Sequence, residues 1–161
     1  MSLSKLISIM MEYYSDVRFS EHSIKAYAYA QGIAEGEGLQ ETDKSILLAA
    51  TILHDIGIPP AIKLHGSSKG EYQEKEGALL VPEMLEKAGI KGISEQVAYL
   101  VGNHHTHELA KDNLLLQILM EADYLVNLAE GKASSEKIQE VYEGFFKTET
   151  GKEYVRALFN F

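Results

Sequence analysis

Cysteine and tryptophan are absent from these 161 residues, and proline occurs only three times. Without cysteine the chain has neither a disulfide framework nor a thiolate zinc site, so any metal must be held by nitrogen and oxygen. Positive charge is also scarce, with 15 Lys and Arg against 24 Asp and Glu and a formal net charge of −9. That balance argues against nucleic acid as a partner, because phosphate neutralisation needs clustered Lys and Arg. An anionic substrate would have to be captured locally, by metal ions or by a few lysines. The apolar LISIMM run near the N-terminus has one preceding Lys and no small-residue cleavage site. It suits an amphipathic helix, so the expectation is a cytoplasmic chain with no signal peptide and no membrane partner.

What is present reads as helix almost throughout. Leu3, Leu6, Ile7, Met10 and Tyr13-Tyr14 recur at helical spacing, as do His22, Ala26, Tyr29-Ala30 and Ile33. Ser20 is the expected N-cap of the second helix, and the glycines of EGEGL its end. The third helix starts near Thr42-Asp43, carries Ile46, Leu47, Ala50 and Leu53 inward, and stops at Gly57 before Pro59-Pro60. Ala61 to Tyr72 is the longest polar, glycine-bearing stretch and reads as a surface loop. Helices are then expected from about Gln73 to Lys87, with Pro82 forcing a kink or a late start, after Ser94 as cap, and from about Asn113 to Glu130. Shorter ones follow around Ser135 to Phe146 and Glu149 to Phe159. No period-two strand pattern, internal repeat or low-complexity tract interrupts them. With 45% hydrophobic residues, the expectation is one all-α domain spanning the chain.

The chemistry-bearing residues cluster on the inward faces of these helices. His54-Asp55 closes the run ILLAATILHDIGIPP. His22 begins the inward stripe of the second helix, and Asp123 stands on the stripe Leu116, Leu119, Asp123, Val126. There a carboxylate replaces an expected apolar residue, and buried carboxylates are rare unless paired or metal-bound. His105 lies one turn beyond Val101 and two beyond Val97, continuing their stripe, with His104 on the adjoining edge. Neutral imidazoles and carboxylates are ligands for Zn, Mn, Fe or Ni. Each residue also has a plainer reading. His22 can satisfy a helix end, Asp123 can form an ion pair, and His104, His105 and His107 can form an exposed polar helix end, which is the preferred reading for His107. His65, Lys63 and Lys69 read most simply as solvated loop residues. The glycines of EGEG and GSSKG fit neither a dinucleotide fingerprint nor a P-loop.

The order His22, His54-Asp55, His105, Asp123 resembles the HD-domain superfamily of metal-dependent phosphohydrolases, and the strings ATILHDIG and MEADYLVNL carry the likeness. It extends from about Ser20 to Glu130, the expected domain core within residues 1–161. The resemblance implies a helical bundle with a five-helix core plus additional terminal helices. It also implies a divalent ion (Mn, Fe, Ni, Co, Zn or Mg) held by His22, His54, Asp55 and Asp123, and hydrolysis of a small phosphorylated molecule, such as a nucleotide, at His54 and Asp55. The stretch NHHTHE resembles the additional His segment of dinuclear members, which would bring a second ion to His104 and His105. Where many dinuclear members carry another His before a Gly-Ala pair, this sequence has Gln73 before Gly77-Ala78, which counts against a complete second site. Ile58 after HDIG and the absence of a GYP element argue against the members that act on cyclic dinucleotides. Two other functions fit the same residues: nucleotide sensing without turnover, and a diiron oxygenase, which would need the complete second site. For the hydrolase, Lys63 and Lys69 are the expected phosphate contacts. Gln73 or Glu74 would orient water beside the metal, and His104 or His105 would bind a second ion or protonate the leaving oxygen.

Overall fold

The computed structural model describes residues 3–161, and ten helices occur among them. In chain order they are α1 (Leu3–Tyr13), α2 (Val17–Gly36), α3 (Glu41–Leu53), α4 (Ile58–His65), α5 (Gly70–Ala88), α6 (Ser94–Val101), α7 (His107–Ala110), α8 (Leu114–Glu130), α9 (Ser135–Gly144) and α10 (Glu149–Phe159). The all-α expectation holds. No single helix among the described residues is long and apolar enough to cross a membrane.

Local chemistry sets the boundaries, and in several places not where the sequence suggested. Asp16, not Ser20, caps α2, its side chain accepting from the Arg18 amide, while Ser20 lies buried within the first turns. Ser94 is the first residue of α6 and Ile93 takes the cap position. Pro59-Pro60 end nothing: they occupy the first turn of α4, where a fixed φ suits the helix and a missing N–H is not needed. The expected loop therefore shrinks to residues 66–69, between the left-handed Gly66 (φ 66°) and the start of α5 at Gly70. Pro82 lies inside α5, which begins well before it.

α3 is the central rod. Every residue from Ile46 to Leu53 is buried, and α1, α2, α6 and α8 pack around it. This explains why its pattern is apolar on all sides rather than on one stripe. Its exit needs close backbone contact. A Cβ at Gly57 would lie 2.0 Å from the Gln73 carbonyl oxygen and 2.6 Å from the Gly77 nitrogen, so the glycine of HDIG lets the chain turn directly against α5.

A buried carboxylate docks the C-terminal helices. Glu121 on α8 is fully buried and accepts hydrogen bonds from the Lys147 and Thr148 amides (2.7 and 3.0 Å), the Thr148 hydroxyl and the Gln117 amide. It thereby satisfies donors at the entry to α10, whose cap is Thr148.

Candidate metal centre

Four elements converge at the end of α3. His22 comes from the first turns of α2, His54 and Asp55 from the turn after α3, His104 from the turn after α6, and Asp123 from the middle of α8. His22 Nε2 lies 2.9 Å from Asp123 Oδ1, 3.2 Å from His54 Nε2 and 3.4 Å from Asp55 Oδ2. His54 Nε2 lies 3.3 Å from Asp55 Oδ2 and 3.4 Å from Asp123 Oδ1. Two groups of three have ligand atoms close enough to share an ion: His22, His54 and Asp123, and Asp55, His104 and His105.

The outer hydrogen bonds decide which way the imidazoles present their lone pairs. Nδ1 of His54 donates to the Thr51 carbonyl (2.7 Å), Nδ1 of His104 to the Val101 carbonyl (2.7 Å), and Nδ1 of His22 to the Glu130 carboxylate (3.1 Å). In the neutral ring each Nε2 then carries a lone pair aimed inward. Lone pairs facing one another and two carboxylates at these distances are held together only by protons or by a cation. His104 Nε2 is buried with no hydrogen-bond partner, its nearest carboxylate oxygen being Asp55 Oδ1 at 3.5 Å. An orphaned buried imidazole nitrogen beside a shared carboxylate is what a metal ligand looks like when hydrogen bonding alone is counted. The donor set fits a divalent transition metal.

The charges have adjusted to one another. Burial would lower both His22 and His54, but Asp55 and Asp123 outweigh it and hold both imidazoles above their usual range. Burial would likewise raise the carboxylates. For Asp55, the charge of His54 and contact with His104 win. For Asp123, hydrogen bonds from His22 and His54 win, and both acids fall below their ordinary range.

The NHHTH segment departs from the expected arrangement. α6 ends at Val101 and the chain tightens into a turn, so the stripe through Val97 and Val101 does not continue to His105. His104 turns into the cluster and is buried, whereas His105 is the more exposed of the pair. His105 Nε2 donates to Gln73 Oε1 (3.1 Å), and the Gln73 amide group is itself bonded to the Ser68 carbonyl, which fixes its orientation. That N–H leaves Nδ1 as the nitrogen of His105 that carries the lone pair. Desolvation, with the His104 ring beside it, pushes His105 down to about 4. Glu74 Oε1 accepts from the His105 amide (2.8 Å) and the Thr106 hydroxyl (3.0 Å), so it pins this turn to α5.

Two clefts border the cluster. The larger, about 410 Å³, reaches His22 and Asp55 and is lined also by Asp16, Arg18, Phe19, Ile58, Asn127 and Glu130. The smaller, about 120 Å³, shares Asn127 with it and has His104, His105, His107, Asp123 and Tyr124 among its walls. Lys63, Lys69 and Glu74 line neither. The cation at the larger cleft is Arg18, exposed and paired with Asp16 at 2.6 Å. Sequence reading missed Arg18, Asn127 and Glu130, yet helical spacing contained all three. Arg18 stands one turn before His22, and Asn127 and Glu130 stand one and two turns after Asp123, on the same face of α8. Asn127 donates to Asp123 Oδ1 (2.9 Å).

No curated protein and no solved structure matches the chain. The family model described as HD domain matches residues 19–128, well over half of the sequence. Those residues contain His22, the His54-Asp55 pair and Asp123, each where the helices bring it to the cluster, and the chain belongs to the HD domain family.

Proposed function

We propose that this protein is a metal-dependent phosphohydrolase acting on a phosphate ester of a small molecule, with nucleotides as the first class to examine. The observation that carries the reading is the common orientation of three imidazoles, each anchored outward through Nδ1 and presenting Nε2 to Asp55 and Asp123. Family membership supports it, since HD domains are commonly hydrolases. His22, His54, Asp55 and Asp123 would hold a divalent ion (Mn, Fe, Ni, Co, Zn or Mg). When bound, that ion supplies Lewis acidity toward a phosphoryl oxygen and lowers the pKa of water.

The chain's own residues do the rest. Arg18, at the mouth of the larger cleft, exchanges its Asp16 partner for the substrate phosphate, a role for which Lys63 and Lys69 are poorly placed. Phe19 and Ile58 offer apolar contact to the remainder of the substrate in the same cleft. His104 joins Asp55 as an additional ligand. His105, neutral near pH 7, hydrogen-bonds to substrate at the smaller cleft and is a poor proton donor for the leaving oxygen. Gln73 and Glu74 position the histidine turn instead of touching substrate.

Release of inorganic phosphate from a panel of nucleotides and sugar phosphates, with Mn, Co, Ni, Mg and Fe supplied in turn, tests this. We expect metal-dependent release that Asp55→Ala abolishes along with bound metal. No release from any ester under any ion, with nucleotide binding still seen as thermal stabilisation, would instead favour a sensing module. That second reading draws on one observation: Glu74, a candidate for orienting water, is already engaged in holding the histidine turn.

A further inference from the structure

Glu130 is the last residue of α8, where the unpaired carbonyls of a helix end make a carboxylate unfavourable. No basic residue lies in that last turn to offset it. Its partners come instead from α2. His22 Nδ1 donates to Glu130 Oε2 (3.1 Å), and Lys25 Nζ donates to Glu130 Oε1 (3.4 Å). His22 and Lys25 stand one turn apart on the same helix, so the two oxygens of one carboxylate are divided between them. The other nitrogen of the His22 ring, Nε2, faces Asp123 Oδ1 at 2.9 Å. A continuous line of contacts therefore runs from Lys25 through Glu130 and His22 into the metal cluster.

Lys25 itself stands outside the cleft that reaches the cluster. Glu130 belongs to the wall of the larger cleft, whereas Lys25 lines a neighbouring one of about 320 Å³ together with Tyr29, Val126, Ala129 and, again, Glu130. The Glu130 side chain is long, rotatable and 39% exposed, so burial does not fix its carboxylate. Contact with His22 holds one oxygen. The ammonium of Lys25 holds the other and turns a single tether into two.

We infer that Lys25 is a positioning residue for the metal centre: by holding Glu130 it keeps the His22 ring in the tautomer and orientation that present Nε2 to the ion. Lys25 touches neither ion nor substrate, and it extends the outer support of a ligand by one residue. The Lys25–Glu130 pair is exposed on both sides, 54% and 39%, so its effect is modest, about two- to fivefold in metal affinity. The inference rests on the metal-centre reading above.

The test uses Co(II) and the full chain, in about 0.15 M salt so that distant charges are screened. Lys25→Met, Lys25→Arg, Glu130→Ala and the double variant Lys25→Met/Glu130→Ala are stripped of metal and checked by circular dichroism. Each is then titrated with Co(II), following its visible absorption, with a competing chelator to measure affinity. Lys25→Met should bind Co(II) about two- to fivefold more weakly, with an altered visible band and an unchanged denaturation midpoint of the metal-free chain. Lys25→Arg, which keeps a cation within reach of Glu130, should restore affinity and band. In the Glu130→Ala background Lys25→Met should cause no further weakening, since Lys25 acts only through Glu130. Wild-type affinity in Lys25→Met would overturn the inference, and so would tighter binding, which would mean that the ammonium merely repels the ion. Equal weakening with and without Glu130 would overturn the route through that carboxylate. A wild-type chain that binds no Co(II) would overturn the metal centre itself and the inference with it, an outcome distinct from variants that match the wild type.

Discussion

His54 shows how one side chain is made ready for chemistry. Its Nδ1 is committed to the Thr51 carbonyl, its ring is wholly buried, and its only direction of action is Nε2 toward Asp55 and Asp123. The outer anchor of His22 is Glu130, which is partly exposed and therefore open to substitution without damage to the core. We predict that Glu130→Ala weakens metal binding about 10–100-fold while leaving the fold intact, because an unanchored His22 loses tautomer and orientation; calorimetric titration with Mn(II) would measure it. An unchanged affinity would show that Glu130 is dispensable. Gln73 stands beside the second group of donors, its Oε1 3.1 Å from His105 Nε2. Gln73→His replaces a poor ligand with a good one at that place and should raise bound metal from about one to about two ions per chain, read by metal analysis. A constant stoichiometry would show that something other than Gln73 limits the site.

At the scale of elements, two contacts hold the scaffold that presents these side chains. Gly57 allows the chain after α3 to lie against the backbone of α5, and a Cβ there would sit 2.0 Å from a carbonyl oxygen that cannot move alone. Gly57→Ala should therefore cost about 2–4 kcal/mol and also displace Asp55, so denaturant midpoint and metal affinity should fall together. Glu121 holds the entry of α10 to α8. Removing it in Glu121→Ala strands two amides and a hydroxyl, and should destabilise the chain by roughly 3 kcal/mol or more. Hydrogen exchange would show the loss first in α9 and α10. Uniform exchange across all helices would mean that the C-terminal pair is not a separate unit of stability.

At the scale of the whole molecule, residues 22, 54–55, 104 and 123 meet only in the folded state, so proton and metal binding are both coupled to folding. Without metal, the raised His22 and His54 contribute stability that is complete below about pH 6.5 and is lost as pH climbs through their folded values. The lowered Asp55 and Asp123 contribute stability present above about pH 3.9 and lost as pH falls through theirs. The cluster thus favours the metal-free fold most between those limits. A cation competes with the imidazole protons, so its benefit grows with pH. Melting curves near pH 5.5 and pH 8.5, with chelator or with Mn(II), should show a metal-free midpoint that falls on going alkaline and a metal-induced rise that is larger at the higher pH. A larger metal effect at acid pH would contradict the lone-pair arrangement.

The helical class and the family were legible in the sequence because both depend on short-range pattern. Apolar residues at helical spacing mark amphipathic helices, and ATILHDIG with MEADYLVNL marks the segments that carry the His-Asp cluster. Even the missed Asn127 and Glu130 were written in the spacing of α8. Pro59-Pro60 could not be read alone, since proline stops a helix from within and starts one from its first turn, and only the approach of α4 to α5 around Gly57 selects the second use. That His104 turns into the cluster while His105 faces Gln73 depends on how tightly the chain turns after α6, a rotation that sequence periodicity cannot express past the end of a helix. Charge placement was likewise a tertiary decision. Lys63 and Lys69 are near the His-Asp pair in sequence, but Arg18, far from it along the chain, is the cation that packing brings to the cleft beside Asp55.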